Sequence, residues 1–409
     1  MSREVDVLVV GAGPAGLAAA SRLAAAGAHV EVLEREQWPG GVPRHCAHRG
    51  FGAWPHALTG PAHARRLTEA AARAGADVRT GVTALDWTGD LALATVGPGG
   101  AETLAARAVI LATGARERPR AARLVPGTRP AGVHTTGELQ QAVHLYGQHI
   151  GTRAVIVGAE AVSHAAADTV RAAGAEVVAL VTDLPRAPAA AARTLDARLR
   201  HRTPVLTGTS VTELLGRGRL SGVRVRHRDG RTAMLPCDTV VFTGDFVPDH
   251  ELARRGALTP APGTRGPAVD GALRTSRPGV FAAGSVLHAV ESAARAAREG
   301  AHAAGAVRDW LAADRSRAAR WPTGVPLVTA PPLLRITPDR VTPADRLPYL
   351  LRTAIPLSRP VLYVTQDGRP LHRARLPLTV AVPHRPLTLT ARWTHRVDPA
   401  GGPVRVTIA

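Results

Sequence analysis

Lysine and asparagine are absent from all 409 residues, and cysteine occurs twice, at Cys46 and Cys237. Two cysteines so far apart build neither a disulfide framework nor a four-cysteine metal site within the chain, which points to a reducing compartment. Aromatic residues make up 3%, leaving little on which nucleic-acid bases could stack. Acidic residues are outnumbered, 32 Asp+Glu against 51 Lys+Arg, for a formal net charge of +19. With no lysine, all of that positive charge is arginine. It is scattered among Asp and Glu and not gathered into a tail, so nucleic acid is not expected as a partner. Long apolar runs are missing as well. Residues 5–26 come nearest, but Asp6 interrupts them and Gly11, Gly13, Pro14 and Gly16 punctuate their middle. They suit neither a secretory leader nor a membrane span of about 20 apolar residues, and a cytoplasmic protein without a membrane span is expected.

What is present is the composition of a folded chain, 45% hydrophobic and 20% charged, at a length that suggests two or three domains. Residues 5–10 form a short, continuous, β-branched run of the kind buried in parallel sheets. Gly11-Ala-Gly-Pro-Ala-Gly16 follows, then an Ala/Leu-rich helical stretch closed by Gly27. Residues 29–33 make the next strand and deliver Glu34 where a carboxylate can accept bonds from ribose hydroxyls. Each glycine has a separate task. Gly11 permits the tight turn, Gly13 lets the backbone approach a pyrophosphate, and Gly16 lets helix and strand pack closely, with the helix N-terminus facing the phosphates. The order strand, glycine turn, helix, acidic strand end predicts dinucleotide binding.

Two further segments repeat the pattern of a buried strand running into a glycine turn. They are residues 107–114, ending in Ala112, Thr113 and Gly114, and residues 277–285, ending in Gly284 and Ser285. A helix is expected after the second, over residues 291–310. Together these motifs resemble the flavoproteins with two dinucleotide-binding domains, the glutathione-reductase-like superfamily. The resemblance covers residues 1–310. It implies an α/β fold of two Rossmann-like three-layer domains, one inserted in the other, with a small C-terminal β domain. The FAD-binding domain takes residues 1–120 and 268–320, the inserted NAD(P)-binding-like domain 121–267, and the β-rich tail 325–409. FAD is the implied cofactor. The residues implied to hold it are Gly11, Gly13, Pro14, Ala15, Gly16, Glu34, Arg35, Gly41, Val42, Ala112, Thr113, Gly114, Gly284 and Ser285. Many members carry Asp where this chain has Ser285, whose hydroxyl offers a similar but uncharged bond.

Two departures bear on function. The superfamily's disulfide reductases carry two redox cysteines close together, whereas Cys46 has no neighbour in sequence and Cys237 sits at the start of an apolar strand. Dithiol chemistry within the chain is therefore not expected. In the inserted domain the strand and helix of a nucleotide site are present, but Gly158-Ala-Glu-Ala-Val-Ser163 keeps only the first glycine. Glu160 puts an anion where a pyrophosphate would approach, which disfavours NAD(P)H.

Between these lies Gly41-Val-Pro-Arg-His-Cys46. This segment is similar to amine- and amino-acid-oxidising flavoproteins, namely the FAD subunits of opine oxidase and hydrogen cyanide synthase and, more distantly, of multisubunit sarcosine oxidase. The similarity implies oxidation of a C–N bond with hydride passing to the flavin N5, the substrate being a small amine, imino acid or amino acid. Arg44, His45 and His48 are the catalytic candidates: Arg44 for negative charge on flavin or substrate, the histidines for protons near neutral pH. Each also has a plainer reading as a surface arginine or a structural histidine. Opine-oxidase-like relatives commonly carry an iron–sulfur module toward the C-terminus. No Cys follows Cys237, so no such cluster is ligated there, and no metal is expected. The electron acceptor is then dioxygen, a quinone or dye, or a partner subunit or acceptor protein. Two alternatives stay open: an NAD(P)H-dependent flavin reductase, and a non-catalytic FAD-binding subunit of a complex. From residue 325 short β-branched runs alternate with proline, and Gln366-Asp-Gly368 predicts a hairpin.

Overall fold

The computed structural model describes residues 2–52, 57–189, 191–313, 321, 324–383 and 385–409. The chain divides into two compact units. One comprises Met1–Pro43, Phe51–Arg116 and Val247–Ala409, the other Arg44–Gly50 and Glu117–Phe246.

The first unit is built on a seven-stranded sheet. Ser2–Val10 lies at its centre, parallel to Val30–Glu34 on one side and to Gly100–Leu111 on the other. Asp77–Thr80 extends the first side. The antiparallel strands Thr83–Gly89 and Ala92–Gly97 extend the second, and Val280–Ala282, arriving from far downstream, pairs with the end of Gly100–Leu111. Val7, Leu8, Val9, Val109, Ile110 and Phe281 are fully buried. Burial on both faces is why these strands are continuously apolar and do not alternate. Two helices press together along the sheet, Pro14–Ala24 and Ala293–Ala312. Their contact depends on small residues: a Cβ at Gly300 would stand 1.9 Å from the Ala15 carbonyl oxygen. The downstream helix starts at Ser292, whose hydroxyl accepts the Arg295 N–H.

The β-rich tail belongs to this unit. Five strands order as Arg340–Val341, Val325–Thr329, Val404–Ile408, Val361–Gln366 and Arg369–Arg375; three more as Leu333–Thr337, Tyr349–Thr353 and Leu387–Leu389. Their core is sealed by Trp393 and Tyr349, with ring centres 5.5 Å apart. Gln366 and Arg369 pair across a turn in which Asp367 and Gly368 both have positive φ, 49° and 79°, the hairpin expected from sequence. Of the apolar run at residues 376–382, only Val380–Ala381 forms a strand. Tyr349–Thr353 is buried throughout, so no apolar–polar alternation marks it in the sequence.

The second unit carries a five-stranded parallel sheet, ordered Val133–Thr135, Thr239–Phe242, Arg153–Val157, Glu176–Val181 and Val205–Leu206. Beside it is an antiparallel sheet of Thr209–Arg217, Arg219–His227 and Thr232–Pro236. Helix Ala161–Ala172 follows the central strand and ends before Gly174, whose φ is 79°. Helix Thr136–His144 opens with a reciprocal cap between Thr135 and Glu138.

Candidate functional site

In the first unit the glycine turn stands at the carboxyl end of the central strand. Gly11 has φ 107°, and a Cβ there would lie 2.4 Å from the Ala112 carbonyl oxygen, so the turn packs directly on the neighbouring strand's exit. A Cβ at Gly16 would lie 1.9 Å from the Gly11 carbonyl oxygen. Gly13 is different: nothing is within 4 Å of where its Cβ would be. Two glycines are thus required by the protein's own packing, while the third keeps an open approach to the backbone. The first-turn N–H groups of Pro14–Ala24, including those of Ala15 and Gly16, lack intrahelical acceptors, as at any helix start, and favour an anion there. Pro14 occupies the helix start, where its missing N–H costs nothing.

Glu34 ends the adjacent strand and is 7% exposed. Its Oε2 accepts the Ala12 N–H at 3.0 Å and its Oε1 the Glu36 N–H at 3.0 Å. A carboxylate has about four acceptor positions, so two remain for the hydroxyls of a ribose. Gly40 and Gly41 fold over the turn, with the Gly40 N–H donating to the Ala12 carbonyl. A Cβ on Gly41, at φ 61°, would meet the Gly13 Cα at 2.9 Å. Val42 is 58% exposed and opens a short 3-10 turn, Val42–His45.

The strand exits at residues 112–114 and 284–285 close the same region. The Thr113 hydroxyl donates to the Asp249 carbonyl at 2.6 Å, the Asp249 N–H donates to the Gly114 carbonyl, and Arg35 pairs with the Asp249 carboxylate at 3.2 Å. Asp249 therefore organises three expected site residues, although nothing in its sequence neighbourhood flagged it. Burial and the nearby Glu251 push its carboxyl above the usual range. Gly284, φ 83°, donates its N–H to Glu299 at 3.1 Å, and His288 approaches the same carboxylate at 3.0 Å. Ser285 begins the short helix Ser285–His288 and is half-buried. Glu299 was also missed; it sits in a helical stretch whose pattern reads as packing alone. Open backbone at Gly13, a helix start and a buried carboxylate with spare acceptor positions suit the phosphates and ribose of FAD.

Arg44, His45 and His48 lie in the second unit, with Arg44–Gly50. His45 is buried, and its pKa is lowered to about 4 by burial and by the charges of Arg44 and His144. It is neutral at physiological pH. Cys46 is buried with its thiol near Gln140 Oε1 at 3.4 Å, and burial raises its pKa to about 12. Such a thiol is not a nucleophile. Cys237 is likewise buried and raised to about 11, and dithiol chemistry between the two has no thiolate to start it. The His48 ring nitrogen lies 2.9 Å from the Arg49 carbonyl at the surface.

The nucleotide crevice of the second unit is filled by its own side chains. Glu160 stands at the start of helix Ala161–Ala172, its Oε2 accepting from the Ser163 hydroxyl at 2.6 Å. Ser163 is in turn 2.6 Å from the Thr243 hydroxyl and accepts the Glu160 N–H. Gly158 has φ 132°, but a Cβ there would meet Thr243 Oγ1 at 2.0 Å, Glu160 Oε2 at 2.6 Å and Ser163 Oγ at 2.6 Å. The place that is open at Gly13 is here occupied by a carboxylate. Among the described residues no group of three or more His, Cys, Asp or Glu could hold a metal ion, and no described helix is long and apolar enough to cross a membrane.

Residues 5–300 match the family model described as pyridine nucleotide-disulphide oxidoreductase. The A subunit of opine oxidase from Rhizobium meliloti is 28% identical over 68% of the chain, and that from Agrobacterium tumefaciens (strain Ach5) 36% identical over 37%. The matches span 58% and 32% of those two relatives. A ferredoxin–NADP reductase from Salinispora tropica is 31% identical over 69% of the chain and 86% of its own length. Among solved structures, T. acidophilum thioredoxin reductase superposes with a TM-score of 0.65 at 24% identity, covering 75% of this chain and 98% of that one, which shows the shared fold.

Proposed function

Since the chain belongs to the pyridine nucleotide-disulphide oxidoreductase family and is an FAD-dependent oxidoreductase, we propose that it oxidises the C–N bond of an amine, imino acid or amino acid. It does so as the FAD-bearing subunit of a heteromeric dehydrogenase. The observation that carries the reading is the carboxylate of Glu160 in the second nucleotide crevice, which leaves an organic substrate as the source of electrons. The resemblance of residues 41–46 to amine-oxidising flavoproteins and the two opine oxidase A subunits among the relatives support the choice of substrate and of a partner subunit.

Bound FAD supplies a two-electron acceptor for the substrate hydride. The substrate also loses a proton, and the resulting imine adds water to give a carbonyl compound and a free amine or ammonia. The chain's own task is to bind, orient and balance charge. The turn at Gly11, Gly13 and Gly16, with Glu34, holds the nucleotide. Arg44 offers a permanent cation for developing negative charge. His45, neutral and with a pKa of about 4, is a hydrogen-bonding group and a poor proton acceptor at neutral pH.

The test is anaerobic bleaching of the FAD-loaded protein by a panel of amino acids and N-alkylated amino acids, beside NADH and NADPH. Bleaching by one of the amines and not by nicotinamides is the expected result. Rapid bleaching by NADH or NADPH would instead favour the second reading, a flavin reductase that passes electrons to a protein or quinone, which the ferredoxin–NADP reductase relative supports. FAD binding with no reduction by either series would leave a non-catalytic subunit.

A further inference from the structure

Beyond the glycine turn at Gly284 the chain makes a strained bend. Ala289 has φ 69° and ψ −59°, and the Val290 N–H donates to the His288 carbonyl at 2.9 Å. This is a γ-turn of the positive-φ kind, unfavourable for a residue with a Cβ, and such strain persists where the surroundings hold it for a purpose. The bend presents Val290 and Glu291 to the β-rich tail. Arg352 of strand Tyr349–Thr353 donates to the Val290 carbonyl at 2.8 Å and to Glu291 Oε1. Arg295 faces the other carboxylate oxygen of Glu291 at 3.8 Å.

Directly opposite Arg352, on strand Leu333–Thr337, stands Arg335. Like charges directly paired across an antiparallel ladder repel. The pairing is created by an irregularity in the register between Leu333 and Arg335, the kind of bulge that re-aims a side chain. Leu334, at the irregularity, is 56% exposed, while Arg335 is turned onto the face of Arg352. The Arg335 guanidinium has no hydrogen-bond partner among the described residues. Its pKa is lowered to about 10, mainly by burial and then by Arg352. Arg352 itself is 7% exposed and Glu291 6% by side chain. Among the described residues Glu291 is bonded by Arg352 and faced by Arg295, and it acts electrostatically on Arg335, so that three guanidinium groups share its neighbourhood. Buried charges are normally matched, and among the described residues no carboxylate pairs with the Arg335 guanidinium.

We propose that Arg295, Arg335 and Arg352 form a carboxylate-binding site, with Glu291 as its fixed internal anion and the carboxylate of an amino- or imino-acid substrate as its ligand. The identity of the substrate rests on the function proposed above; the anion site rests on the bulge, the paired arginines and the strained turn. Arg335, with its planar fork unengaged, makes the principal contact. Arg352 is a positioning residue held between Val290 and Glu291.

The experiment is calorimetric titration of the full-length, FAD-loaded protein with acetate, and with acetamide as an uncharged control. The unaltered protein is expected to bind acetate and not acetamide. Arg335→Met should weaken acetate by roughly 10- to 100-fold, the usual loss for a charged hydrogen bond, with FAD content unchanged, and Arg335→Lys should restore part of it. Equal acetate binding in Arg335→Met would overturn the proposal. So would loss of FAD from that variant, which would assign the guanidinium to a cofactor phosphate. Should Arg335→Met not fold, Glu291→Gln keeps the shape and removes the competing carboxylate, and is expected to tighten acetate roughly 3- to 10-fold by added positive charge; no change there overturns it. Acetate binding that depends on Arg335, in a protein whose flavin no amine bleaches, would leave this site standing while removing the amine-oxidation reading.

Discussion

The turn at Gly11 and the turn at Gly158 begin the same way, a buried parallel strand entering a glycine of positive φ before a helix, and end as different objects. At the first, the backbone at Gly13 is open and the nearest carboxylate, Glu34, lies to the side on the next strand. At the second, the equivalent approach is filled by Glu160, tied to Ser163 and through it to Thr243. The strand and helix are scaffold, required for packing whether or not a ligand is bound. The two turns differ at their third residue, open backbone at Gly13 and a carboxylate side chain at Glu160.

This contrast can be broken most severely at Gly16. Gly16→Val should destabilise the first unit by about 3 kcal/mol or more, because the added atoms run into the Gly11 carbonyl with no room to relax; urea denaturation would measure it, and a loss under 1 kcal/mol would mean that the turn moves more freely than its packing indicates. Gly13→Val separates packing from binding. With φ −80° and open space around it, stability should stay within about 0.5 kcal/mol, while the flavin-to-protein ratio after gel filtration falls steeply. Unchanged flavin content would remove Gly13 from the cofactor site.

Glu34→Gln should weaken FAD by roughly 10- to 100-fold, since the amide keeps the shape but loses the charged acceptor, as read by flavin fluorescence. The converse change in the second unit is the double substitution Glu160→Gly and Ser163→Ala, which removes the carboxylate and its hydroxyl partner. Quenching of NADH fluorescence should then show binding at least several-fold tighter than in the unaltered protein; if both bind alike, Glu160 is not what excludes the nucleotide. Binding, not turnover, is the appropriate readout, because it does not require the flavin.

The last expected effect concerns acid and is felt only well below neutral pH. Burial lowers the pKa of His45, His134, His144 and His164, all in the second unit. For His45 the folded value is about 4 against an ordinary 6.5. The folded state then holds fewer protons than the unfolded one between those values. Stability is unaffected above about pH 6.5 and falls as pH drops toward 4, with a limiting slope of about 1.4 kcal/mol per pH unit for this group. His45→Gln should flatten the stability profile in that window; an unchanged slope would place the acid sensitivity elsewhere.

The parallel strands and the first glycine turn were legible because their constraints are local. A buried strand must be apolar at every position, and Gly11 and Gly16 are the residues a crowded turn tolerates. The late strand Val280–Ala282 was also legible, as a second strand ending in glycine, although its partner lies far upstream. Asp249 and Glu299 were not, since each acts through backbone groups distant in sequence. Nor was the surrounding of Arg44, His45 and His48. The Cys46 thiol lies near Gln140 and His45 feels the charge of His144, both on helix Thr136–His144, a neighbourhood that no local pattern announces.

By itself, then, the sequence determined the α/β scaffold, the family's first nucleotide motif, the lack of a paired cysteine, and the presence of an anion in the second turn. These follow from side-chain volume, polarity and backbone freedom at single positions. Only the tertiary structure decided which backbone stays open, which carboxylates organise the strand exits, and that Arg335 and Arg352 face one another over Glu291. Those depend on register, on a bulge and on chain segments brought together over long separations, quantities that no local pattern of residues encodes.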